Sequence, residues 1–138
     1  MSKNVCIIGL GYIGLPTLLL FAKKNFKILG IDNNIDVINK ILDYKNIKTE
    51  ANIQKLLANL IKKKNISLSE NYFLAKNFNT FIICVPTPVV KKNNLVKADL
   101  RNLMQVINEL KKIVKKNDTV IVESTVPVGT TDKIKKIL

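Results

Sequence analysis

The chain has no histidine and only two cysteines, Cys6 and Cys84. It can therefore build neither a Cys/His metal cage nor a Ser-His-Asp triad, which removes much of hydrolytic and zinc chemistry. Each cysteine stands in a β-rich apolar run, "NVCIIGL" and "TFIICV", where a thiol is expected to be a small, buried, unpaired core side chain. Arginine is almost missing too: of 23 basic residues only Arg101 is one, so the planar fork favoured in base and phosphate recognition is scarce. Long apolar runs are also absent. Lys23 and Lys24 close the first apolar segment short of the ~18 residues a membrane span needs. The opening "MSKNVCIIGL" runs into glycines rather than the small-residue cleavage site of a signal peptide. A cytoplasmic protein with no membrane partner and no metal is expected.

What the chain does have is charge. A formal +13 attracts polyanions non-specifically but says nothing about fold. Stretches such as "NNIDVINKILDYKNIK" are crowded with Asn, Ile and Lys, all with A/T-rich codons, so genomic base bias accounts for the composition without a polyanion partner. The lysines are scattered over helical patterns and few aromatics interleave with them, and no nucleic-acid partner is expected. Lys111, Lys112, Lys115 and Lys116 read as a solvated helix face. At 138 residues and 47% hydrophobic, the chain is one domain, 1–138, with enough apolar material for a packed core.

Short β-branched runs alternate with longer helical patterns. Residues 4–10 read as a first strand, 12–25 as a buried helix and 26–32 as a second strand. Two amphipathic helices follow, over 34–43 and 52–65, with apolar residues at three- and four-residue spacing. "YFLAKN" (72–77) reads as a short third strand and "TFIICV" (80–85) as a fourth. A loop, "PTPVVKKNNLVKA" (86–98), leads to a helix over 99–116 that opens on Asp99 as N-cap. "DTVIVES" (118–124) is a fifth strand, and "TTDKIKKIL" (130–138) starts a last helix. Continuously apolar strands separated by helices imply a parallel sheet covered on both faces: an α/β, three-layer, doubly wound domain of Rossmann type. A complete sheet of this kind has a sixth strand, so the chain is expected to be the front part of something longer.

At the junction of first strand and first helix stands "GLGYIG", placing Gly9, Gly11 and Gly14 in the spacing G-x-G-x-x-G. The first glycine permits the tight turn, the second lets the backbone approach a pyrophosphate, and the third lets helix and strand pack closely. The helix N-terminus adds unpaired N–H groups and partial positive charge for the phosphates. At the end of the second strand, "ILGID" places Asp32 where a carboxylate accepts from both adenosine ribose hydroxyls and repels a 2′-phosphate, which argues for NAD over NADP. The plainer reading of Asp32 is a turn or cap residue before the next helix. Methyltransferases also use a glycine-rich first loop and an acid on the second strand, but their ligand lacks a pyrophosphate, and the full glycine spacing favours a dinucleotide.

Ligands of such sheets lie beyond the strands' carboxyl ends, where the strand order reverses. The fourth strand ends in "CVPTP" and the fifth in "VESTVPVGTT", so Thr87, Glu123 and Thr125 are expected at the nicotinamide half of the cofactor. Pro86 and Pro88 stiffen that loop. Glu123 is positioned to orient a water or the nicotinamide ribose. The bland alternatives are a turn hydroxyl at Thr87, a helix cap at Thr130 and a backbone partner at Glu123.

Taken in order, "GLGYIGLPTLLLFA", "ILGIDNN", "CVPTP" and "VIVESTVPVGTT" resemble the N-terminal NAD-binding domain of the UDP-glucose/GDP-mannose dehydrogenase family. The form "VPTP" is similar to its N-acetyl-sugar branch, the UDP-N-acetyl-D-mannosamine and UDP-N-acetylglucosamine 6-dehydrogenases. The resemblance implies a double oxidation: the C6 alcohol of a UDP-sugar passes two hydrides to two NAD molecules and leaves as a carboxylate, with a cysteine thiohemiacetal and thioester between. It also implies that Tyr12, Ile13, Asp32, Thr87 and Thr125 contact NAD and that Glu123 lies near the reacting centre, as the catalytic candidate of this chain. The family's nucleophilic cysteine, catalytic lysine and most sugar-binding residues belong to central and C-terminal domains that this sequence does not contain, so a homodimer and turnover are expected only of a full-length enzyme. Cys6 and Cys84 do not match the nucleophile's motif. Where relatives often carry a proline before the acid opening the helix, Ala98 stands. The rivals are a stand-alone dinucleotide-binding module and the corresponding domain of a 6-phosphogluconate or 3-hydroxyacyl dehydrogenase, the latter disfavoured by "VESTVPVG".

Overall fold

The computed structural model describes residues 4–43, 51–62, 65–92 and 95–138. In chain order these form β1 (Asn4–Ile8), α1 (Gly14–Lys23), β2 (Lys27–Ile31), α2 (Ile35–Leu42), α3 (Ala51–Lys62) and β3 (Ile66–Ser69). A 3-10 helix (Tyr72–Asn77) precedes β4 (Thr80–Ile83), β5 (Val89–Lys92), β6 (Leu95–Ala98), α4 (Arg101–Leu110), β7 (Thr119–Val122) and α5 (Thr130–Ile137).

Five strands make one parallel sheet in the order β3-β2-β1-β4-β7. The chain builds outward from β1 through β2 to β3, then returns to lay β4 on the other side of β1, which opens a crevice above the β1/β4 boundary. Alternate residues of each strand feed opposite cores. Cys6, Ile8, Leu29, Ile31, Phe81 and Ile83 pack with Leu103, Val106, Ile107 and Leu110 of α4 and Ile134 of α5. Val5, Ile7, Ile28 and Ile82 pack with Leu18 and Leu19 of α1 and Leu57 and Leu60 of α3. Burial on both faces is why β1 reads as an unbroken apolar run. The doubly wound architecture expected from the sequence is what forms.

The exit from α1 shows how local chemistry aims a strand. Asn25 adopts φ +59°, its N–H donates to Ala22 O at 3.1 Å, and the Phe26 N–H donates to Phe21 O at 3.4 Å. This is the paired bonding of a Schellman stop, with Asn in the left-handed position. The accompanying apolar contact is Phe21 against Phe26, edge to face at 5.2 Å, and it turns the chain straight into β2.

Three expectations are corrected. The third strand is Ile66–Ser69, paired with β2 from Ile28↔Ile66 to Ile31↔Ser69, and not "YFLAKN". Asn71 accepts from the Phe73 N–H at 2.9 Å and starts a tight 3-10 turn there, which leaves Phe73 and Leu74 exposed and only Ala75 buried. The segment 86–98 is not a plain loop: β5 and β6 pair antiparallel from Val89↔Ala98 to Lys92↔Leu95, and neither VVKK nor LVKA carries the apolar-polar alternation that marks a strand. The helix expected over 99–116 is Arg101–Leu110, with Leu100 at the cap position. Asp99 lies just outside it, accepting from the Arg101 N–H at 3.1 Å and from its guanidinium at 2.6 Å, and these bonds hold its carboxyl down at about 2. Lys111, Lys112, Lys115 and Lys116 are exposed, as their pattern implied.

Phe81, fully buried at the centre of the sheet, is expected to be the costliest single truncation. Phe81→Ala should lower stability by about 3–5 kcal/mol, read as a fall in the urea midpoint followed by circular dichroism.

Candidate functional site

β1, β2, β4 and β7 all deliver their carboxyl ends to one edge of the sheet, and the glycine turn forms the floor of the cleft there. Gly9 has φ +87° and its N–H donates to Ile31 O at 2.8 Å. A Cβ on it would stand 2.9 Å from Cys84 O, and one on Gly14 would stand 1.7 Å from Gly9 O. Those two glycines are required by the fold itself. Gly11 is different: its φ is ordinary and a Cβ there would meet nothing within 4 Å. Nothing in the protein demands glycine at that position, so the missing side chain leaves room for something that lies against the backbone. Beside it α1 starts with no side-chain cap and no acid in its first turn, so its N-terminal dipole is left to an anion from outside.

Asp32 closes one side of this floor. Its Oδ2 accepts from the Leu10 N–H at 2.8 Å and its Oδ1 from the Asn34 N–H at 2.9 Å. The carboxylate is thereby held against the glycine turn, with lone pairs left on both oxygens. Of the plainer reading, a cap or turn residue, the turn is present in the Asn34 N–H bond, while the helix cap is Asn34, accepting from the Asp36 N–H at 3.0 Å.

The opposite side is stitched from the ends of β4 and β7. Thr87 Oγ1 donates to Thr125 O at 2.6 Å, Ser124 Oγ to Val85 O at 2.7 Å, and Asn102 Nδ2 to Pro86 O at 3.3 Å. Glu123 Oε2 accepts from Cys84 Sγ at 3.1 Å and Thr17 Oγ1 at 3.4 Å. Cys84 is thus not a core thiol as expected. It is half-buried and lines the cleft, because β4 ends at Ile83 and Cys84 already belongs to the mouth. Burial, reinforced by Glu123, pushes this thiol up to about 12, which keeps it protonated and a poor nucleophile. Burial likewise raises Tyr72 to about 12, with the fields of Cys6, Glu109 and Asp32 adding to it.

The cleft has a volume of about 780 Å³, within the ~300–1,000 Å³ of small-molecule sites. Gly9, Gly11, Tyr12, Ile13, Asp32, Thr87, Glu123 and Thr125 all line it. Tyr12 projects fully exposed at its rim, and Gly14 sits behind the wall, against Gly9. Among the described residues, no lysine or arginine lines the cleft. Sequence reasoning missed Tyr72, Asn102, Gln105 and Ser124, which also line it. The available signal was the i, i+3 pair of amides on the helix that follows β4.

An open parallel sheet with a glycine turn that leaves one side chain's space, and an acid on the neighbouring strand aimed at that turn, define a Rossmann-type dinucleotide-binding domain. Residues 3–138 match the NAD binding domain of the UDP-glucose/GDP-mannose dehydrogenase family. The chain belongs to that family, and NAD fits the cleft through the space at Gly11 and the carboxylate of Asp32. It is 36% identical to a UDP-N-acetyl-D-mannosamine dehydrogenase of Methanocaldococcus jannaschii over all of its own length and 32% of that protein's. Among solved structures it is similar to the UDP-D-ManNAc dehydrogenase of Pyrococcus horikoshii, with TM-score 0.86, 32% identity, and coverage of 97% of this chain and 31% of the other. It is also similar to the UDP-N-acetyl-mannosamine dehydrogenase of Staphylococcus aureus, with TM-score 0.84, 31% identity, and coverage of 96% and 31%. The chain spans about a third of the length of the curated relatives it matches.

Gly14→Ala should abolish cooperative folding, whereas Gly11→Ala should leave the thermal midpoint unchanged and weaken NAD at least about tenfold in a fluorescence titration. Cys84 should react slowly with a thiol reagent at pH 8, its rate still climbing above pH 9, where an ordinary thiol levels off. Glu123→Gln, by removing the carboxylate's share of the upward shift, should speed that reaction.

Proposed function

We propose that this chain is the NAD-binding part of a nucleotide-sugar 6-dehydrogenase that oxidises the C6 alcohol of a UDP-N-acetylhexosamine, of the UDP-N-acetyl-D-mannosamine kind, to a uronate. The observation that carries the cofactor side of this reading is the Asp32 carboxylate pinned by the Leu10 N–H beside the vacant space at Gly11. The substrate side rests on the similarity to dehydrogenases of that sugar. NAD, when bound, supplies the two-electron acceptor.

The chain's own residues divide the work of holding it. The main-chain N–H groups of Gly11, Tyr12 and Ile13 take the pyrophosphate, those of Gly9 and Leu10 being held by Ile31 O and Asp32, and Asp32 takes the adenosine ribose hydroxyls while opposing a 2′-phosphate. Thr87 and Thr125 face the nicotinamide half. Because the Thr87 hydroxyl donates to Thr125 O, it serves the cofactor as an acceptor and as a brace for the facing loop. Glu123 stands at the reacting end. With Oε2 held by Cys84 and Thr17, the carboxylate has a defined direction in which to orient the nicotinamide ribose or a water. The nucleophilic cysteine, the catalytic lysine and the sugar site are assigned to the central and C-terminal domains of the full-length enzyme, acting in the cytoplasm as a homodimer, so this chain alone binds without turning over. No helix among the described residues is long and apolar enough to cross a membrane.

Calorimetric titration tests the reading. NAD should bind saturably and at least about tenfold tighter than NADP, and Asp32→Asn should weaken NAD and narrow that gap. No saturable binding by the folded chain, or equal affinity for both cofactors before any substitution, would overturn it.

A further inference from the structure

The cleft has one more wall, which none of the sequence motifs supplies. It is made by Asn102, Gln105 and Val106 of α4 together with Tyr72, and Val37 of α2 faces the same space. Tyr72 lies within the field of the Asp32 carboxylate and packs against the core that includes Val106, so with the adenosine ribose on Asp32 the base falls to this wall. A purine brings two apolar faces, which suit Val37 and Val106, and a polar edge whose pattern differs between bases. Adenine carries an amino donor at C6 and a bare acceptor at N1. A 6-oxopurine carries a carbonyl acceptor at C6 and a donor at N1.

Asn102 is the side chain able to tell these apart. Its amide contacts Pro86 O at 3.3 Å. A carbonyl oxygen only accepts, so the group turned toward it must be the NH₂, and the direction of the amide is settled chemically. Oδ1 then points the other way, and it has no hydrogen-bond partner among the described residues. An acceptor fixed in this way welcomes the C6 amino group and repels a C6 carbonyl. Gln105, one turn further along the same helix face, makes no hydrogen bond among the described residues, and a free amide can turn either end to a ligand. It contributes contact without preference.

We propose that Asn102 is a base-specificity residue of the cofactor site, selecting adenine over 6-oxopurines through an amide whose direction is dictated by the Pro86 carbonyl. The inference rests on the NAD-binding reading above and deepens it. The loop after β4 thereby has a second role: besides bracing the β7 loop through Thr87, it sets the polarity presented to the far end of the ligand.

The test is titration of the 138-residue chain with NAD and with nicotinamide hypoxanthine dinucleotide, which differ only at the base. The unsubstituted chain should prefer NAD by about three- to tenfold, the scale of one partly exposed hydrogen bond. Asn102→Ala, a change that favours helix, should bring the ratio close to one while preference for NAD over NADP, governed by Asp32, persists. Gln105→Ala should weaken both ligands alike and keep the ratio. Equal binding of the two dinucleotides by the unsubstituted chain, or a ratio unmoved by Asn102→Ala, overturns this inference and leaves NAD binding intact. Binding of neither overturns both.

Discussion

Everything in this domain follows from how closely α1 approaches the turn that leaves β1. The first residue of the helix lies so near Gly9 O that a single methyl at Gly14 would stand 1.7 Å from it. Because no Cβ intervenes, the helix starts directly above the strand it covers, with its N-terminus aimed over the sheet edge and not past it. Gly9, at φ +87°, turns the chain so that the Leu10 N–H meets Asp32 at 2.8 Å. Gly30 repeats the device in β2, where an added Cβ would fall 2.8 Å from Leu18, so the helix also settles against the second strand. The acid after β2 and the N-terminus of α1 are thereby set in one frame by the protein's own contacts, which is the condition for binding without an ordering cost.

The opposite side of the cleft is organised differently, by side chains that tie loops together. Thr87, Ser124 and Asn102 each spend a polar group on a carbonyl of a neighbouring loop, so the ends of β4 and β7 behave as one platform. The Cys84 and Thr17 bonds to Glu123 join that platform to α1. Among the described residues no basic side chain takes part, although the chain carries +13. The described lysine side chains stay on exposed surfaces, with Lys112 paired to Glu109 and Lys115 reaching Lys76 O.

Much of this was legible in the residues. Burial on both faces makes strands such as β1 and β4 continuously apolar, and that pattern identifies a parallel sheet. The glycine spacing and Asp32 pointed to the cleft they line, since each obeys a constraint carried by its own turn or strand end. What escaped was of two kinds. Where apolar letters lack a shared face, as in "YFLAKN", composition reads as strand while Asn71 directs a 3-10 turn. In "PTPVVKKNNLVKA" the prolines at the start signal a loop, and VVKK and LVKA show no period-two alternation to announce the β5–β6 pair.

The sequence by itself determined the class of fold, the glycine turn and the acid beside it, because helix and strand periods, tight turns and strand ends are set by neighbours a few residues apart. Tertiary structure alone decided the rest of the site. Asn102 reaches the loop at Pro86, Glu123 meets Thr17 across 106 positions, and Cys84 moves from presumed core to cleft wall. The reason is the parallel topology: each crossover returns the chain to the same sheet edge, so side chains distant in sequence become partners there, and no local pattern records which of them will touch.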